Sequence, residues 1–122
     1  MYEIEWADNG VYWKYFGDIT GREIIEGSQL IYEDPRFTKI NYKLIDFLDT
    51  YSISLSKAEA AEIAILHKTA ALSNASIENA VVASSNGELA KKFSFFFSHL
   101  CWEFFVFHDR EKGNHWFSSK CK

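Results

Sequence analysis

The sequence predicts a single-domain α/β protein with a mixed β-sheet, in the element order β-β-α-β-α-β-α-β-α. Three observations support this fold class: apolar runs typical of strands recur along the chain, longer helix-like segments separate most of them, and capping boxes open three of those segments. The capping boxes are Thr20/Glu23, Ser56/Glu59 and Ser85/Glu88. Strands separated by helices favour parallel pairing with right-handed crossovers. The pattern leaves the order of the strands within the sheet open.

The N-terminal segment is predicted to form an antiparallel hairpin. Residues 2–6 alternate apolar and acidic side chains, which is typical of a strand with one solvated face. Asn9-Gly10 follows, and this dipeptide favours the positive φ angles of a tight hairpin turn. Residues 11–16 form the second strand, with Val11, Trp13 and Tyr15 on one face. The hairpin supplies the antiparallel member of the sheet.

The first helix and the strand after it have clear boundaries. Thr20 caps a helix that reaches roughly Tyr32, and Asp34-Pro35 ends it because the residue before a proline is pushed out of the α region. Residues 42–47 (YKLIDF) form the next strand. Its nearly continuous apolar character predicts a position in the interior of the sheet.

The second half of the chain continues the alternation of helices and strands. Ser56 caps an alanine-rich helix over about 57–72, and residues 78–83 form a short strand centred on Val81 and Val82. A helix over about 85–100 carries apolar residues at the i, i+4, i+7 spacing of a buried stripe. Residues 102–107 are predicted as the last strand, and about 109–118 as a closing helix.

Composition limits the classes of function. The 122 residues carry a net charge of −4, so we do not expect the phosphate-neutralising surface of a nucleic-acid-binding protein. The first ten residues lack the basic and apolar regions of a signal peptide, and polar residues interrupt the most apolar stretch, 93–107, which falls short of a membrane span. Cys101 and Cys121 do not make a disulfide framework. We therefore expect one domain over residues 1–122, with reduced thiols, in the cytoplasm.

Four local strings carry a family resemblance. They are Gly17-Asp18-Ile19-Thr20-Gly21, Glu33-Asp34-Pro35-Arg36-Phe37, Tyr42-Lys43-Leu44-Ile45-Asp46-Phe47 and Ala80-Val81-Val82-Ala83. Each string is moderately specific, but their order and spacing run over nearly the whole chain. Together they resemble the SpoIIAA-like family of small bacterial proteins, within the STAS superfamily. The resemblance implies a mixed α/β fold without enzymatic activity.

The resemblance also implies a candidate phosphoacceptor. STAS proteins of the anti-sigma-factor-antagonist type bind a partner kinase and are switched by phosphorylation. The phosphorylated serine lies in an Asp-Ser-Ser/Thr-Gly motif, where the helix begins after the strand that ends in Asp. By position Ser54 is nearest to that serine, but Ile53, Leu55 and Ser56 replace the other residues of the motif, which argues against classical partner switching. The favoured interpretation is that Ser56 is a helix cap and Ser54 a turn residue.

The aromatic content of residues 93–107 is the most unusual feature of the composition. Helical periodicity places most of these side chains in the core, but Phe95 projects away from the apolar stripe and Phe97 lies at its fringe. An exposed Phe beside other aromatics is typical of an apolar-ligand mouth, a membrane-touching patch or a dimer face. Phe95 and Phe97 are therefore candidates for a ligand or interface role, with core packing as the alternative.

Two carboxylates form the remaining candidate site. Asp46 and Asp49 are expected beyond the carboxyl end of a strand, where open α/β sheets often bind ligands. Because no nucleophile or electrophile accompanies them, solvated loop carboxylates are the favoured interpretation. The histidines and cysteines fit no metal-ligand spacing, and no phosphate-binding loop or nucleophile elbow occurs. We therefore expect no catalytic residues, metal or cofactor.

These observations lead to two hypotheses about function. The first is a non-enzymatic, regulatory STAS-like module that binds another protein or a second copy of itself. The alternative is a carrier or sensor of an apolar, fatty-acid-like or lipid-like ligand, in peripheral contact with a membrane. That alternative rests on residues 93–107 and on the resemblance of the superfamily to CRAL-TRIO lipid carriers.

Overall fold

The computed structural model describes residues 1–84 and 104–120, and of Phe104 only the backbone. Five strands, three α-helices and a short 3₁₀-helix lie within these ranges. In chain order they are β1 (Tyr2–Ala7), β2 (Gly10–Thr20), α1 (Gly21–Tyr32), the 3₁₀-helix (Pro35–Lys39), β3 (Tyr42–Ser54), α2 (Lys57–Ser73), β4 (Glu78–Val82), β5 (Phe104–Phe107) and α3 (Arg110–Lys120). The helix predicted over about 85–100 and the start of the strand predicted at Trp102 lie outside the described residues.

The strands form one mixed sheet in the order β1-β2-β3-β4-β5. β1 is antiparallel to β2, and each of the other neighbouring pairs is parallel. The mixed α/β class, the N-terminal hairpin and the interior position of β3 are therefore confirmed. The strand order, which the sequence left open, follows the order of the chain.

The hairpin turn differs from the expectation in one respect. Ala7 pairs with Gly10, so Asp8 and Asn9 form the connection and Gly10 already belongs to β2. Neither Asn9 nor Gly10 has a positive φ, which makes the prediction of a positive-φ turn wrong. The turn is instead held from outside the hairpin, because the Asn9 carbonyl accepts hydrogen bonds from the backbone N–H groups of Asn41 and Tyr42 at 3.0 and 3.2 Å.

β2 and β3 are both longer than the sequence predicts. β2 continues to Thr20 and β3 to Ser54, and the two strands pair in parallel along most of their length. The pairing shifts register between Lys14 and Phe16 and again near Gly17, whose φ of 81° lies in the left-handed region that favours glycine. These irregularities break the alternation of apolar and polar residues, which explains why the pattern predicts the first part of each strand and not its C-terminal part.

The sheet is covered on both faces by helices. On one face α1 and α2 pack over the larger core, which includes Trp13 and Tyr15 from β2. On the other face α3 covers a smaller cluster whose fully buried members are Leu44, Ala80 and Val82. Leu44 of this cluster belongs to β3, two residues before Asp46 and on the same face of the strand. The Asp46 side chain therefore lies on the face of the sheet that α3 covers.

The predicted helix starts are confirmed where the structure describes them. The Thr20 hydroxyl accepts from the Glu23 N–H at 3.2 Å. At α2 both halves of the capping box are present, because the Glu59 N–H donates to Ser56 Oγ and the Ser56 N–H donates to Glu59 Oε1. The Ser85/Glu88 pair lies outside the described residues.

Candidate functional site

Asp46 is the centre of the candidate site. Its side chain is fully buried and accepts four hydrogen bonds. The Tyr12 hydroxyl donates to Oδ2 at 2.6 Å and the Leu48 N–H to Oδ1 at 2.9 Å. Arg110 donates from Nε to Oδ2 at 2.7 Å and from Nη2 to Oδ1 at 3.3 Å. The interpretation of Asp46 as a solvated loop residue is therefore wrong: β3 continues through this position, between β2 and β4.

The fold explains why these groups meet. The parallel register of β2 and β3 places Lys14 beside Asp46, and Tyr12 lies two residues earlier on the same face of β2. Arg110 is the first residue of α3, which begins after a two-residue connection from β5. The Asp109 carboxylate accepts hydrogen bonds from the N–H groups of Glu111 and Lys112 at 2.8 and 3.3 Å, and so caps this helix. Arg110 is thereby held over the carboxylate.

Asp49 extends the site toward solvent. It also lies within β3 and not in a loop, and its side chain is 46 % exposed. Its Oδ2 atom lies 2.9 Å from Lys14 Nζ and 3.1 Å from Arg110 Nη2. Arg110 therefore bridges the two carboxylates that the sequence singled out. We call Tyr12, Lys14, Asp46, Asp49 and Arg110 the Asp46 network.

Three groups of the Asp46 network, Tyr12, Asp49 and Arg110, have pKa values shifted by their neighbours. Hydrogen bonds from Lys14 and then from Arg110 lower the pKa of Asp49. Burial, followed by the hydrogen bond to Asp46, raises the pKa of the Tyr12 hydroxyl far above its ordinary value. The hydrogen bond to Asp46 raises the pKa of Arg110. Tyr12 therefore remains a neutral donor, and the Arg110–Asp46 contact joins α3 to the sheet.

A shallow, open depression of about 380 Å³ lies at the exposed end of this network. Its lining residues are Glu3, Lys14, Phe16, Gly17, Asp49 and Tyr51. Charged groups of both signs reach its surface through Glu3, Lys14 and Asp49. A depression of this kind suits a polar side chain of a partner better than an apolar small molecule, which binds in more enclosed and apolar pockets.

Ser54 lies away from the Asp46 network. It is the exposed last residue of β3, eight positions after Asp46 and therefore about 26 Å along an extended strand. Ser52, two residues before it, donates to the Asp18 carboxylate at 2.7 Å. Ser56, two residues after it, is the cap of α2 as expected. The candidate phosphoacceptor and the carboxylate pair are thus separate surfaces.

A second polar cluster lies in the larger core, where sequence analysis did not find it. Lys43 is fully buried, and its Nζ donates to the Tyr32 hydroxyl at 2.7 Å. The same hydroxyl lies 2.7 Å from Nδ1 of the buried His67. Burial, and then the nearby charge of Lys43, lowers the pKa of His67 well below its ordinary value. The signal for this cluster was Lys43, a basic residue near the start of an interior strand.

Tyr12 and Arg110 were also missed. Tyr12 is one of several aromatic residues in the hairpin, and Arg110 lies 64 positions after Asp46. Their roles depend on the strand order, which the sequence left open, so no local signal could have found them. By contrast, Asp46 and Asp49 stood out because they follow the apolar core of a central strand.

The aromatic candidates Phe95 and Phe97 lie outside the described residues. From the same region of the sequence, the structure describes Phe105 and Val106, whose side chains are 52 % and 51 % exposed. The Phe105 ring lies 6.0 Å from the ring of Trp116 in α3. Within residues 1–84 and 104–120, no group of three or more His, Cys, Asp or Glu side chains is placed to hold a metal ion. No helix in the same ranges is long and apolar enough to cross a membrane.

Known structures share this architecture. No protein-family model matches the sequence, and no curated protein does. The anti-sigma factor antagonist SpoIIAA in its unphosphorylated form superposes with a TM-score of 0.60 at 10 % identity, covering 98 % of both chains. The fold is SpoIIAA-like. This result confirms the SpoIIAA-like fold that the four strings indicated.

Two further structures with the SpoIIAA-like fold match nearly the whole chain. One is an uncharacterized protein of the DUF3478 family from Shewanella loihica PV-4, with a TM-score of 0.58, 21 % identity, and coverage of 95 % of this chain and 91 % of that one. The other is the Bacillus cell fate determinant SpoIIAA in its phosphorylated form, with a TM-score of 0.55, 11 % identity, and coverage of 94 % and 98 %. At these identities the likeness establishes the fold.

Proposed function

We propose that this chain is a non-enzymatic, cytoplasmic regulatory module that acts by binding a partner protein. The observation that carries the proposal is the match to SpoIIAA, an anti-sigma factor antagonist, over 98 % of both chains. The Asp46 network supports it, because a general base needs a lone pair directed at substrate, whereas both oxygens of Asp46 accept hydrogen bonds from protein groups. The proposed partner is a protein of the anti-sigma-factor type.

We propose Ser54 as the residue through which phosphorylation regulates that binding. Its exposure at the end of β3 supports access by a kinase. At the start of α2 the Ser56 N–H already donates a hydrogen bond to the Glu59 carboxylate, so it is not available to a phosphate on Ser54. A phosphate on Ser54 would be repelled by that carboxylate and would point outward. On this proposal the phosphate acts by repelling the partner surface and leaves the fold unchanged.

A binding measurement tests both statements. An affinity-tagged chain captures its partner from a native extract. The partner is then purified alone, and its binding to the chain is measured by calorimetric titration. Ser54→Glu is expected to weaken binding by about tenfold or more, whereas Ser76→Glu, at an exposed position in the loop before β4, is expected to bind like the wild type. Equal affinity of the Ser54→Glu variant would contradict the role of Ser54. Turnover of a substrate panel that is lost in Asp46→Asn would contradict the module as a whole.

A second candidate function is the binding of a fatty-acid-like or lipid-like ligand, with contact to a membrane surface. The half-exposed Phe105 and Val106 favour it, because neighbouring exposed apolar side chains are typical of ligand mouths and membrane contacts. Native mass spectrometry and solvent extraction of the purified protein test for a copurified lipid, and flotation with liposomes tests for membrane contact. A ligand-free protein that stays with the soluble fraction would dismiss this candidate.

A further inference from the structure

The two edges of the sheet differ in how they are protected. β1, at one edge, carries the exposed acidic side chains Glu3 and Glu5. β5, at the other edge, has the sequence FFVF and carries no charge, and Phe105 and Val106 are both about half exposed. Soluble proteins normally protect an edge strand with charges, prolines or a covering segment, because unpaired backbone groups recruit other strands. The composition of β5 is therefore that of an edge that pairs.

The backbone direction of β5 can be read from one hydrogen bond. The Ala83 N–H donates to the Phe107 carbonyl at 3.0 Å, so the polar backbone groups of Phe107 face β4. Because these groups alternate along a strand, those of Phe105 also face β4, whereas those of Phe104 and Val106 face away from the sheet. Among the described residues, no strand lies beyond β5. The N–H and C=O of Val106 therefore point away from the sheet, on the side where the described part of the chain places no further strand.

We propose that β5 pairs with β5 of a second copy of this chain, in antiparallel orientation about a two-fold axis. Such an axis places one residue opposite itself. With Phe105 on the axis, Phe104 of each copy lies opposite Val106 of the other. The outward N–H and C=O groups of these two residues then form hydrogen bonds between the two β5 strands. The two sheets would join into one of ten strands. The inference rests on the proposed protein-binding function, and names one partner for it.

Charge selects a second copy over the other pairings that the edges permit. Pairing of β5 with itself brings four uncharged residues against four uncharged residues. Pairing of β5 with β1 of another copy would place Glu3 and Glu5 beside an apolar strand, and would generate an open filament because the two edges differ. Pairing of β1 with itself would oppose like charges, and the chain already carries a net charge of −4.

The surroundings of β5 add apolar contact to the proposed interface. Phe105 and Phe107 lie on the face of the sheet that α3 covers, and each ring lies within 6.4 Å of the Trp116 ring. Cross-strand aromatic pairs contribute to antiparallel pairing, and residues at a non-hydrogen-bonded position such as Phe105 bring their side chains closest together. The dimer would bury the half-exposed Phe105 of each copy against the other.

Sedimentation velocity of the intact chain tests the pairing. The wild type is expected to sediment with twice the mass of one chain. Val106→Pro removes the outward N–H while leaving the groups that pair with β4, because an edge strand tolerates proline where its N–H faces away from the sheet. This variant is expected to keep the wild-type circular dichroism and to raise the dimer Kd by about tenfold or more. Leu72→Asp, at an 83 % exposed apolar residue of α2, is the control and should remain dimeric.

Each result decides the proposal. A wild-type chain that remains monomeric as its concentration is raised overturns it, as does a folded Val106→Pro variant that dimerises like the wild type. Loss of the dimer in Leu72→Asp overturns the assignment to β5. If Val106→Pro does not fold, Val106→Lys decides in its place, since a charge at the edge is expected to prevent pairing. Titration of the same variants with the captured partner separates the two proposals, because failure of β5 pairing leaves heterologous binding intact.

Discussion

Loss of Arg110 tests whether the Asp46 network fixes α3 to the sheet. The change is Arg110→Met, which keeps the length of the side chain and removes its charge. Asp46 is fully buried and cannot turn to solvent, so its carboxylate loses two hydrogen bonds and its neutralising partner. Removing one partner of a buried ion pair costs about 3–5 kcal/mol. Because Arg110 is 33 % exposed and its charge is partly screened by water, we expect the lower value of about 2–3 kcal/mol.

The assay is urea unfolding followed by tryptophan fluorescence. A loss of 2–3 kcal/mol corresponds to a midpoint lower by about 1–2 M urea for a domain of this size. Arg22→Met is the matched control, because the Arg22–Glu62 pair is 3.8 Å apart and both side chains are about half exposed. Its expected change is below about 1 kcal/mol. Equal midpoints for the two variants would refute the reasoning.

A double-mutant cycle separates the ion pair from the packing of its side chains. Asp46→Asn turns an amide N–H₂ toward groups that are themselves donors, so it is destabilising on its own. Combined with Arg110→Met, its effect should fall short of the sum by about 1–2 kcal/mol, because the second change removes a partner that is already lost. Strict additivity would show that Arg110 acts through its methylene groups alone.

Three further changes test other parts of the fold. Ser56→Ala should cost about 1 kcal/mol by opening the capping box of α2, whereas Ser73→Ala at the end of that helix should cost less; equal losses in thermal unfolding would contradict the cap. Gly27→Ala should destabilise by about 1–3 kcal/mol in urea, since its Cβ would lie 2.7 Å from the buried Tyr15 hydroxyl; wild-type stability would show that the ring moves aside. His67 has a lowered pKa when folded, so the free energy of unfolding should fall as pH drops below about 6.5, by at most about 1.4 kcal/mol per pH unit; an unchanged slope in His67→Gln would contradict this.

The parts of the fold that the sequence predicts are those set by local chemistry. Thr20 and Ser56 begin helices because a hydroxyl three residues before a glutamate satisfies backbone N–H groups within one turn. Asp34-Pro35 ends α1 because proline restricts the residue before it. The interior position of β3 follows from its apolar run. None of these features depends on residues distant in sequence.

The environment of Asp46 could not be predicted, because three features of the tertiary structure create it. β3 continues past Asp46 only because β2 continues beside it through two register shifts, which obscure the period of two. The strand order then places β5 on the side of β4 away from β3, whereas α3, which follows β5 in the chain, packs over β3. Arg110, the first residue of α3, therefore meets Asp46. Asp46, which the sequence alone predicts to be a solvated loop residue, is therefore buried by neighbours that are distant in the sequence.

The smaller core explains why an ion pair occurs at this position. α3 is a largely polar helix, and within residues 1–84 and 104–120 the fully buried apolar residues that it covers are Leu44, Ala80 and Val82. Apolar burial alone leaves the direction of a helix loosely fixed, because it is non-directional. The Arg110–Asp46 pair adds direction, since a guanidinium and a carboxylate bind in a defined plane. We infer that the Asp46 network contributes to the placement of α3 beside β5, which also positions Trp116 next to Phe105 at the proposed dimer interface.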